Sequence, residues 1–439
     1  MSDDELLAIG DRALARLERG EAEVVIVDES SELTRFAGNE IHQSVAERSR
    51  YVRVRLIDEG RIGVGEVRGH LDDAVERALA SAEQSRRVTT TSDVSPLPRP
   101  DAAEEGPAAY AEATARATPE ERAGLVAVVT DAAAAQGINS YGALSTTTST
   151  TAIVTSAGIR RAATTTQASL VAVARGDNGG GYASRHSADL DALGVEELAT
   201  EVVDTCMRNQ NATAIDPGEY EVVLSPYAVT DLLEHLSWTS FSALATQEHR
   251  SFMRMGEQLM SKEVTIRDDA TTPEMFPFPF DYEGVSTRPV TLIDRGGCSA
   301  VVYDTPTALR DGVASTGHSL PQPNTWGPLA RHMIMDGGDT PWEEMVGSVS
   351  RGLYITRFWY VRDVHPLRTV ITGMTREGTF LIENGRITRP VKDLRFTQSI
   401  VGALANVLRV SRERRLELGE SESGVLSPWL QIGRFTFTS

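Results

Sequence analysis

Cysteine is scarce in this chain: only Cys206 and Cys298 occur among its 439 residues. Two cysteines provide neither a disulfide framework nor a Cys-x-x-Cys metal knuckle. Long hydrophobic runs are also missing, since no apolar stretch approaches the ~20 residues that a transmembrane helix requires. The N-terminal stretch MSDDELLAIGD lacks the basic and apolar regions of a secretory signal. We therefore expect a cytoplasmic protein without a membrane span.

Basic residues are the second shortage. Lysine and arginine together number 43 against 62 aspartates and glutamates, which gives a formal net charge of −19. Such a surface repels phosphate backbones and anionic lipids, so neither nucleic acid nor a membrane is expected as a partner. The same charge also serves solubility. With 41% apolar residues the chain can bury a sizeable core, and its length predicts two or three domains.

The order of predicted elements indicates an α+β protein. A helix, a set of strands and a second helix occur twice before residue 210, which predicts an N-terminal α/β region with duplicated helix–sheet–helix units at 1–87 and 109–215. Residues 88–108 are rich in proline and show no periodicity, and they are predicted to form a linker. Residues 216–439 are predicted to form a β-rich domain of antiparallel hairpins with a few helices.

Threonine is concentrated between residues 138 and 174, in stretches such as STTTSTTAIVTSAG. Branched threonine side chains suit the surface of a sheet, and Ile153, Val154 and residues 170–173 supply buried partners. We therefore interpret the segment as strands and not as low-complexity sequence.

Two capping-box patterns predict helix starts, at Thr118 and at Thr340. In each, a threonine at the N-cap is followed by a proline and by a glutamate at the third helical position. The second of these helices is predicted to end near Arg351-Gly352, where the glycine would serve as the C-cap.

The stretch SPYAVTDLLEHLSWTSFSALATQEHRS, residues 225–251, contains two Glu-His pairs and is predicted to form one long helix. On a helical wheel the core face consists of Val229, Leu232, Leu233, Leu236, Ser240 and Leu244. The opposite, polar face carries Asp231, His235, Trp238, Ser242 and His249. A tryptophan on a polar face needs a surface to pack against, so the helix is predicted to line an interface or a groove.

A zinc site on this helix would lack ligands. A His-Glu-x-x-His peptidase needs two histidines one turn apart, and zinc sites use at least three protein ligands. Asp231 and His235 supply two, whereas Glu248 and His249 lie ~20 Å further along a continuous helix. We interpret the stretch as an interface helix with surface histidines and without a metal. The pair Asp231 and His235 is the alternative metal site.

No other pattern predicts a catalytic residue. The glycine-rich stretch 176–181 lacks the lysine of a phosphate loop and is interpreted as a hairpin tip. A nucleophilic Cys298 activated by His318 has no supporting signature, and a structural cysteine is the interpretation that we adopt. The Gly-x-Ser-x-Gly elbow of serine hydrolases does not occur.

An ordered set of motifs resembles the TldD/PmbA family of modulators of DNA gyrase, whose members are viewed as peptidase components. The motifs are VVLSPYAVTDLLEHL (222–236), RSF followed by GE (250–257), FPFDYEGVSTRPVTLIDRG (278–296), ASTGH (314–318), RGLYIT (351–356) and GTFLIENG (378–385). The N-terminal half matches more loosely, through its strands, LIDEGRIGVGEV and the helix that follows. The resemblance covers nearly the whole chain and favours the PmbA branch, also called TldE.

The resemblance implies a particular division of labour. In the TldD branch, the equivalent helix carries His-Glu-x-x-x-His, which together with a distant cysteine holds the catalytic zinc. This sequence has no His-Glu-x-x-x-His there, and its C-terminal stretch SPWLQIGRFTFTS has no cysteine. The resemblance therefore implies a metal-free subunit whose TldD-like partner supplies the zinc. It also implies a chamber between subunits that admits unfolded peptide, for which strand addition is the expected mode of recognition.

Eight residues are predicted to face this chamber or the partner: His235, Trp238, Ser315, Thr316, Gly317, His318, Trp359 and His365. The segment 357–368 departs from the glycine-rich stretch usual in the family, because it is bulky, basic and aromatic. It would either change the substrate preference or form a hydrophobic interface strand. Two other functions stay open: a self-sufficient homodimeric hydrolase that uses Asp231 and His235, and a non-enzymatic peptide-binding scaffold.

Overall fold

The chain forms a layer of helices on a sheet, followed by a β-rich body. A computed structural model describes residues 1–91, 94–101, 106–419 and 424–439. Residues 92, 93 and 102–105 of the predicted linker lie outside the described residues. The helices are α1 (Asp3–Leu14), α2 (Leu71–Val88), α3 (Glu112–Ala115), α4 (Pro119–Ala135), α5 (Val195–Arg208), α6 (Pro226–Thr239), α7 (Ala243–Gln247), α8 (Thr305–Asp311), α9 (Trp342–Ser348) and α10 (Ile400–Ala405). Within these ranges, no helix has the length and apolar content that crossing a bilayer requires.

The strands alternate with these helices in the first half of the chain and dominate the second half. They are β1 (Glu21–Ala37), β2 (Glu40–Asp58), β3 (Arg61–Arg68), β4 (Asn139–Thr155), β5 (Arg160–Arg175), β6 (Gly180–Ser187), β7 (Gly218–Leu224), β8 (Ile266–Asp268), β9 (Val290–Asp294), β10 (Gly297–Cys298), β11 (His332–Met335), β12 (Arg351–His365), β13 (Val370–Glu383), β14 (Arg386–Val391), β15 (Arg395–Ser399), β16 (Val407–Leu418) and β17 (Gly424–Phe437).

Six antiparallel strands form the N-terminal sheet, in the order β3-β2-β1-β4-β5-β6. This order joins two three-stranded units edge to edge along β1 and β4. The first unit lies between α1 and α2 in the chain, and the second between α4 and α5. The structure thus confirms the α+β class and the repeated helix–sheet–helix order.

The helices cover only one face of this sheet. Even-numbered residues such as Val24, Ile26 and Val154 point towards α1 and α2. Odd-numbered residues point the other way, where Val25 and Ile153 pack against Phe280 of the C-terminal domain. The period of two along each strand therefore makes the sheet a middle layer between the helices and the C-terminal domain.

Strand β17 organises the C-terminal domain. It pairs with β7, β11, β15 and β16, and the succession β7-β12-β13-β15-β17 returns to β7 as a closed ring. The hairpins β12–β13, β13–β14 and β16–β17 are antiparallel, as predicted. The pairs β7–β12 and β11–β17 are parallel, which local turn signals do not reveal. Helix α6 packs on this ring through Leu232, Leu233 and Leu236, all fully buried.

The prediction of one helix from 225 to 249 is wrong, because α6 ends at Thr239 and α7 begins at Ala243. Ser240 leaves the helical conformation with φ −136°, which brings Phe241 into the core with no exposed surface. The carbonyl oxygen of Phe241 then accepts the N–H of Val302, and the N–H of Ala243 donates to the carbonyl oxygen of Val302, so these groups do not continue the helix. Burial of the aromatic ring outweighs the few helical hydrogen bonds that the break removes.

The two predicted capping boxes have different outcomes. Thr118 and Glu121 form the reciprocal box at the start of α4, as predicted. The second prediction is wrong: Pro341, not Thr340, is the N-cap of α9 and makes no side-chain cap, and the helix ends at Ser348, before Arg351 begins β12. The N–H of Trp342 instead bonds to the Glu413 carboxylate (3.2 Å), so a distant strand supplies the cap.

A turn formed by residues 280–287, here the docking turn, fastens the C-terminal domain to the sheet. Its shape comes from Asp281, whose Oδ1 accepts the N–H groups of Glu283 (2.9 Å) and Val285 (3.0 Å). Gly284 has φ +76°, and a Cβ there would lie 2.5 Å from Cγ2 of Ile159. Only glycine fits both this conformation and this close approach.

A buried charge cluster lies beneath the docking turn. The Nη2 of Arg55 is 2.8 Å from Oε2 of Glu23 and 3.8 Å from Oε1 of Glu283, and all three residues are buried. Two carboxylates therefore share one guanidinium. Burial raises the pKa of Glu283 to about 7, although Arg55 acts in the opposite direction. The interface between the domains thus holds a carboxylate that titrates near neutral pH.

We expect the Glu283→Gln variant to be more stable than the parent protein at pH 8 and equally stable near pH 4. A carboxyl whose pKa rises on folding destabilises the folded state as pH increases from its unfolded value towards about 7, and the amide removes that penalty. The expected gain at pH 8 is on the order of 1–3 kcal/mol, read from urea denaturation. Glu66→Gln, at a half-exposed carboxylate, is the control and should shift stability by less than about 1 kcal/mol. A loss of stability in Glu283→Gln at pH 8 would contradict the prediction.

Candidate functional site

A cavity of about 430 Å³ lies between the odd-numbered face of the N-terminal sheet and the C-terminal domain. Short polar side chains from β1, β4 and β5 form its floor. They are Glu29, Ser31, Ser145, Thr147, Ser149, Thr151, Thr165 and Gln167. We call this floor the hydroxyl face. A hydroxyl both donates and accepts hydrogen bonds, so the floor can bond to N–H and C=O groups alike.

Aromatic and basic groups of the C-terminal domain form the opposite wall. Phe276, Phe278 and Phe280 lead into the docking turn, and Arg331 packs over the ring of Tyr282 at 5.6 Å. The cavity therefore combines apolar rings on one side with exchangeable hydrogen-bonding groups on the other. This chemistry suits a polypeptide chain, which presents backbone amides and mixed side chains.

His318 lines the cavity but both of its nitrogens are engaged. Nδ1 lies 2.9 Å from the carbonyl oxygen of Thr316, and Nε2 lies 2.8 Å from Oδ1 of Asp268. Both partners are acceptors, so the geometry fits an imidazolium that donates twice. The charge of His318 lowers the pKa of the fully buried Asp268. This pair is a structural bridge, and His318 has no free nitrogen with which to activate a nucleophile.

Cys298 does not supply such a nucleophile either. It is buried in the short strand β10, and burial raises the pKa of its thiol. A thiol with a raised pKa carries little thiolate at neutral pH.

His332 is a cavity residue that sequence reasoning missed. Its backbone N–H bonds to Oδ2 of Asp268 (2.8 Å), and the residue lines the cavity. Burial lowers the pKa of His332 to about 4, so its imidazole is neutral at pH 7. The sequence ARHMIM around it carries no motif, and its environment comes from residues distant in the chain.

The polar face of α6 lies under the β12–β13 hairpin. His235 is buried, its Nδ1 is 3.2 Å from Oδ1 of Asp363, and its ring meets Trp238 edge-on at 5.1 Å. Asp231 and Trp359 line a second cavity, of about 240 Å³, beside this helix. The expectation of a surface histidine at 235 is therefore wrong, because the hairpin covers it.

The eight predicted partner- or chamber-facing residues divide into two groups. His235, Trp238 and Trp359 lie on or beside the α6 face, with His365 exposed near the end of the same hairpin. Gly317 and His318 line the cavity between the domains. Ser315 and Thr316 stand beside them, and both hydroxyls bond to the carbonyl oxygen of Tyr303 at 3.1 Å.

The segment 357–368 forms the outer part of β12 and the start of the turn into β13. The ring of Trp359 contacts the guanidinium groups of Arg357 (5.0 Å) and Arg376 (4.4 Å), and the residue is 44% exposed. Tyr360 is 67% exposed and adopts φ +53° where the strand is irregular. Trp359 and Tyr360 are therefore presented to solvent, whereas Phe358 of the same segment is buried in the core.

The residues present do not fit a catalytic zinc. Across the described ranges, no group of three or more histidine, cysteine, aspartate or glutamate side chains is placed to hold a metal ion. Asp231 and His235 remain two donors on one helical turn, and Nδ1 of His235 is engaged by Asp363. A zinc ion needs at least one further ligand from another source.

Family models cover most of the chain. The PmbA/TldA metallopeptidase domain 1 matches residues 22–82, the central domain of the same family matches 98–209, and its C-terminal domain matches 217–439. The chain belongs to the PmbA/TldA metallopeptidase family. The resemblance carried by the motifs is thereby confirmed.

Individual relatives support this membership. A metalloprotease from Methanothermobacter thermautotrophicus is 24% identical over 52% of this chain and 51% of its own length. A metalloprotease TldD homolog from Haemophilus influenzae is 28% identical over 54% of this chain and 52% of its own length. The matched part thus spans about half of these relatives. The crystal structure of TldE from Thermococcus kodakarensis has the same fold, with a TM-score of 0.87 at 19% identity over 99% of both chains.

We expect the Asp268→Asn variant to lose about 3–5 kcal/mol of stability at pH 7, because it leaves the buried His318 without its charged partner. Asp336→Asn is the matched control, since Asp336 pairs with Arg267 but is 43% exposed, and it should cost less than about 1 kcal/mol. Urea denaturation measures both effects. Equal stability of the two variants would show that the Asp268–His318 pair does not hold the cavity wall.

Proposed function

We propose that this chain is the metal-free, TldE-like subunit of a cytoplasmic TldD–TldE-type metallopeptidase that processes unfolded peptides. The partner subunit supplies the zinc, and this chain closes the chamber and holds the peptide. The family membership and the fold support the reaction class. The division of labour between the subunits is the part that experiment must decide.

One observation carries the proposal: the chain has the family's domains and fold, yet α6 carries a single histidine, and within the described ranges no three His, Cys, Asp or Glu side chains are grouped to hold a metal ion. His235 is buried and bound to Asp363, so the helix lacks both the number and the freedom of ligands that a zinc ion needs. A family member without its own metal site fits a role as the second half of a two-subunit enzyme.

The cavity between the domains supports the role in peptide handling. The hydroxyl face offers repeated donors and acceptors, and the three phenylalanines offer apolar contacts for side chains. Neither feature selects a particular residue sequence. Such a site favours unfolded substrates of varied sequence over one folded protein.

The direct test measures zinc and peptide cleavage. Expressed alone, the chain should hold far less than one zinc per molecule by native mass spectrometry and should not cleave an unfolded peptide. Mixed with a TldD-type chain from the same organism, it should form a complex of near one-to-one stoichiometry that cleaves. Stoichiometric zinc and hydrolysis by the chain alone would refute the proposal, and failure of any TldD-type chain to bind would favour the scaffold function.

The homodimeric hydrolase makes a different prediction, which the Asp231→Ala/His235→Ala double variant tests. If this chain bound its own metal, the variant should abolish both zinc binding and activity. On our proposal, the variant leaves the zinc content of the assembled complex unchanged. His235→Gln alone keeps a side-chain hydrogen-bonding group near Asp363 and serves as the stability control, monitored by thermal unfolding.

A further inference from the structure

Strand β2 has two halves with different surroundings. Residues Tyr51–Asp58 lie between β1 and β3. Residues 43–50 pair with β1 on one side, and among the described parts of the chain no strand pairs with their other side. An unpaired edge of this length presents backbone groups that can accept another strand.

The unpaired groups can be assigned from one hydrogen bond. The carbonyl oxygen of Arg50 accepts from the N–H of Gly69 (3.1 Å), beyond β3, so Arg50 directs its backbone groups away from β1. Because these directions alternate along a strand, Ser44, Ala46 and Arg48 also direct their N–H and C=O outward. Ala46 lies at the middle of this row, and its side chain is exposed.

The second unit of the sheet shows what such an edge accepts. There β6 pairs with residues 168–175 of β5, just as β3 pairs with the last part of β2. The first part of β5 does not stay bare: the N–H of Thr166 bonds to the carbonyl oxygen of Ala109 (2.7 Å), and the N–H of Ala111 bonds to the Thr166 hydroxyl (2.8 Å). Residues Ala109–Ala111 of this chain thus bond to the edge of β5 at Thr166, in the part of β5 that corresponds to residues 43–50 of β2.

The edge of β2 follows a turn that is hydrogen-bonded to the start of β4, and it adjoins the hydroxyl face. At the β1–β2 turn, Oδ1 of Asn39 accepts the N–H of Ser140 (2.6 Å), and its Nδ2 donates to the carbonyl oxygen of Ile138 (2.8 Å). Glu29 and Ser31 of the hydroxyl face lie opposite Ser49 and Glu47 of β2. A strand added to β2 would therefore lie two strand spacings, about 10 Å, from the cavity floor.

We propose that residues 43–50 of β2 bind an extended peptide as a seventh strand of the N-terminal sheet. This binding site deepens the proposed function, on which it rests, because it assigns the bound peptide to a specific edge of the sheet. Backbone bonds to Ser44, Ala46 and Arg48 would supply affinity without sequence preference. Alternate side chains of the peptide would point to the side of the sheet that carries the hydroxyl face.

The test uses Ala46→Pro, which removes one outward N–H and leaves the bonds to β1 in place. Ala46→Val is the matched control, because it enlarges the side chain and keeps the N–H. The probe is a fluorescein-labelled unfolded peptide of about 12 residues without proline, and its anisotropy is followed with the full chain alone and with the TldD-type partner. We expect the proline variant to weaken binding about tenfold and the valine variant to change it less than about twofold.

A second arm uses the unmodified protein. The same peptide carrying N-methyl groups on every amide should lose binding, because neither of its edges can donate to β2, whereas methylation of alternate amides leaves one edge free and should preserve binding. Full binding of the peptide methylated on every amide, or full binding by a folded Ala46→Pro variant, would overturn the proposal. If Ala46→Pro instead dissociates an oligomer in sedimentation while peptide binding persists, the edge is a subunit contact and not a peptide site. Zinc bound by the chain alone would end the proposed function but would leave these binding results intact.

Discussion

The docking turn fixes how the C-terminal domain packs against the N-terminal sheet. It presses Glu283 against Arg55 and Glu23 in the sheet, in a place with almost no exposed surface. Burying two carboxylates with one guanidinium lowers the stability of the folded state, and apolar side chains at this contact would be less destabilising. The charged arrangement constrains the turn, because one oxygen of Glu283 lies 3.8 Å from the Arg55 guanidinium and the other accepts the N–H of Thr305 at 2.9 Å. The same turn forms part of the wall of the cavity, so the position of the cavity follows from this contact.

The threonine content of β4 and β5 is explained by the position of the sheet between the helices and the C-terminal domain. On the helix side, alternate positions carry residues such as Leu144 and Leu170, which are fully buried. On the other side, the same strands carry Ser145, Thr147 and Ser149 towards the cavity. Threonine has the branched side chain that favours the strand conformation, and its hydroxyl remains available for hydrogen bonds in the cavity. The composition of the segment therefore reflects two faces with different tasks.

Sequence reasoning succeeded where the physics is local. The repeated helix–sheet–helix order, the box at Thr118 and the hairpins all follow from signals within a few residues. It failed where distant segments decide. The break after Thr239 depends on Val302, and the burial of His235 depends on Asp363, which lies 128 residues further along the chain.

The candidate site likewise combines features set by local sequence with features set by distant segments. The helical wheel placed Asp231, His235 and Trp238 together, and the structure agrees that they share one side of α6. The wheel had no means of showing that a hairpin would cover that side. His332 could not be selected at all, because its pKa is lowered by burial among residues distant in the chain, and its backbone partner Asp268 is 64 residues away. Motif order identified the family, whereas only coordinates revealed the cavity.

The closed ring of the C-terminal domain has a consequence for biosynthesis. Its first strand, β7, needs both β12 and β17 as neighbours, and β17 is the last strand of the chain. The N-terminal sheet, by contrast, is complete once β6 has emerged from the ribosome. The first domain can therefore fold during translation, while the apolar sides of β7 and α6 stay uncovered until β17 has been synthesised. During that interval the nascent chain exposes apolar surface and an unpaired strand, which favours non-specific association until β17 pairs with β7.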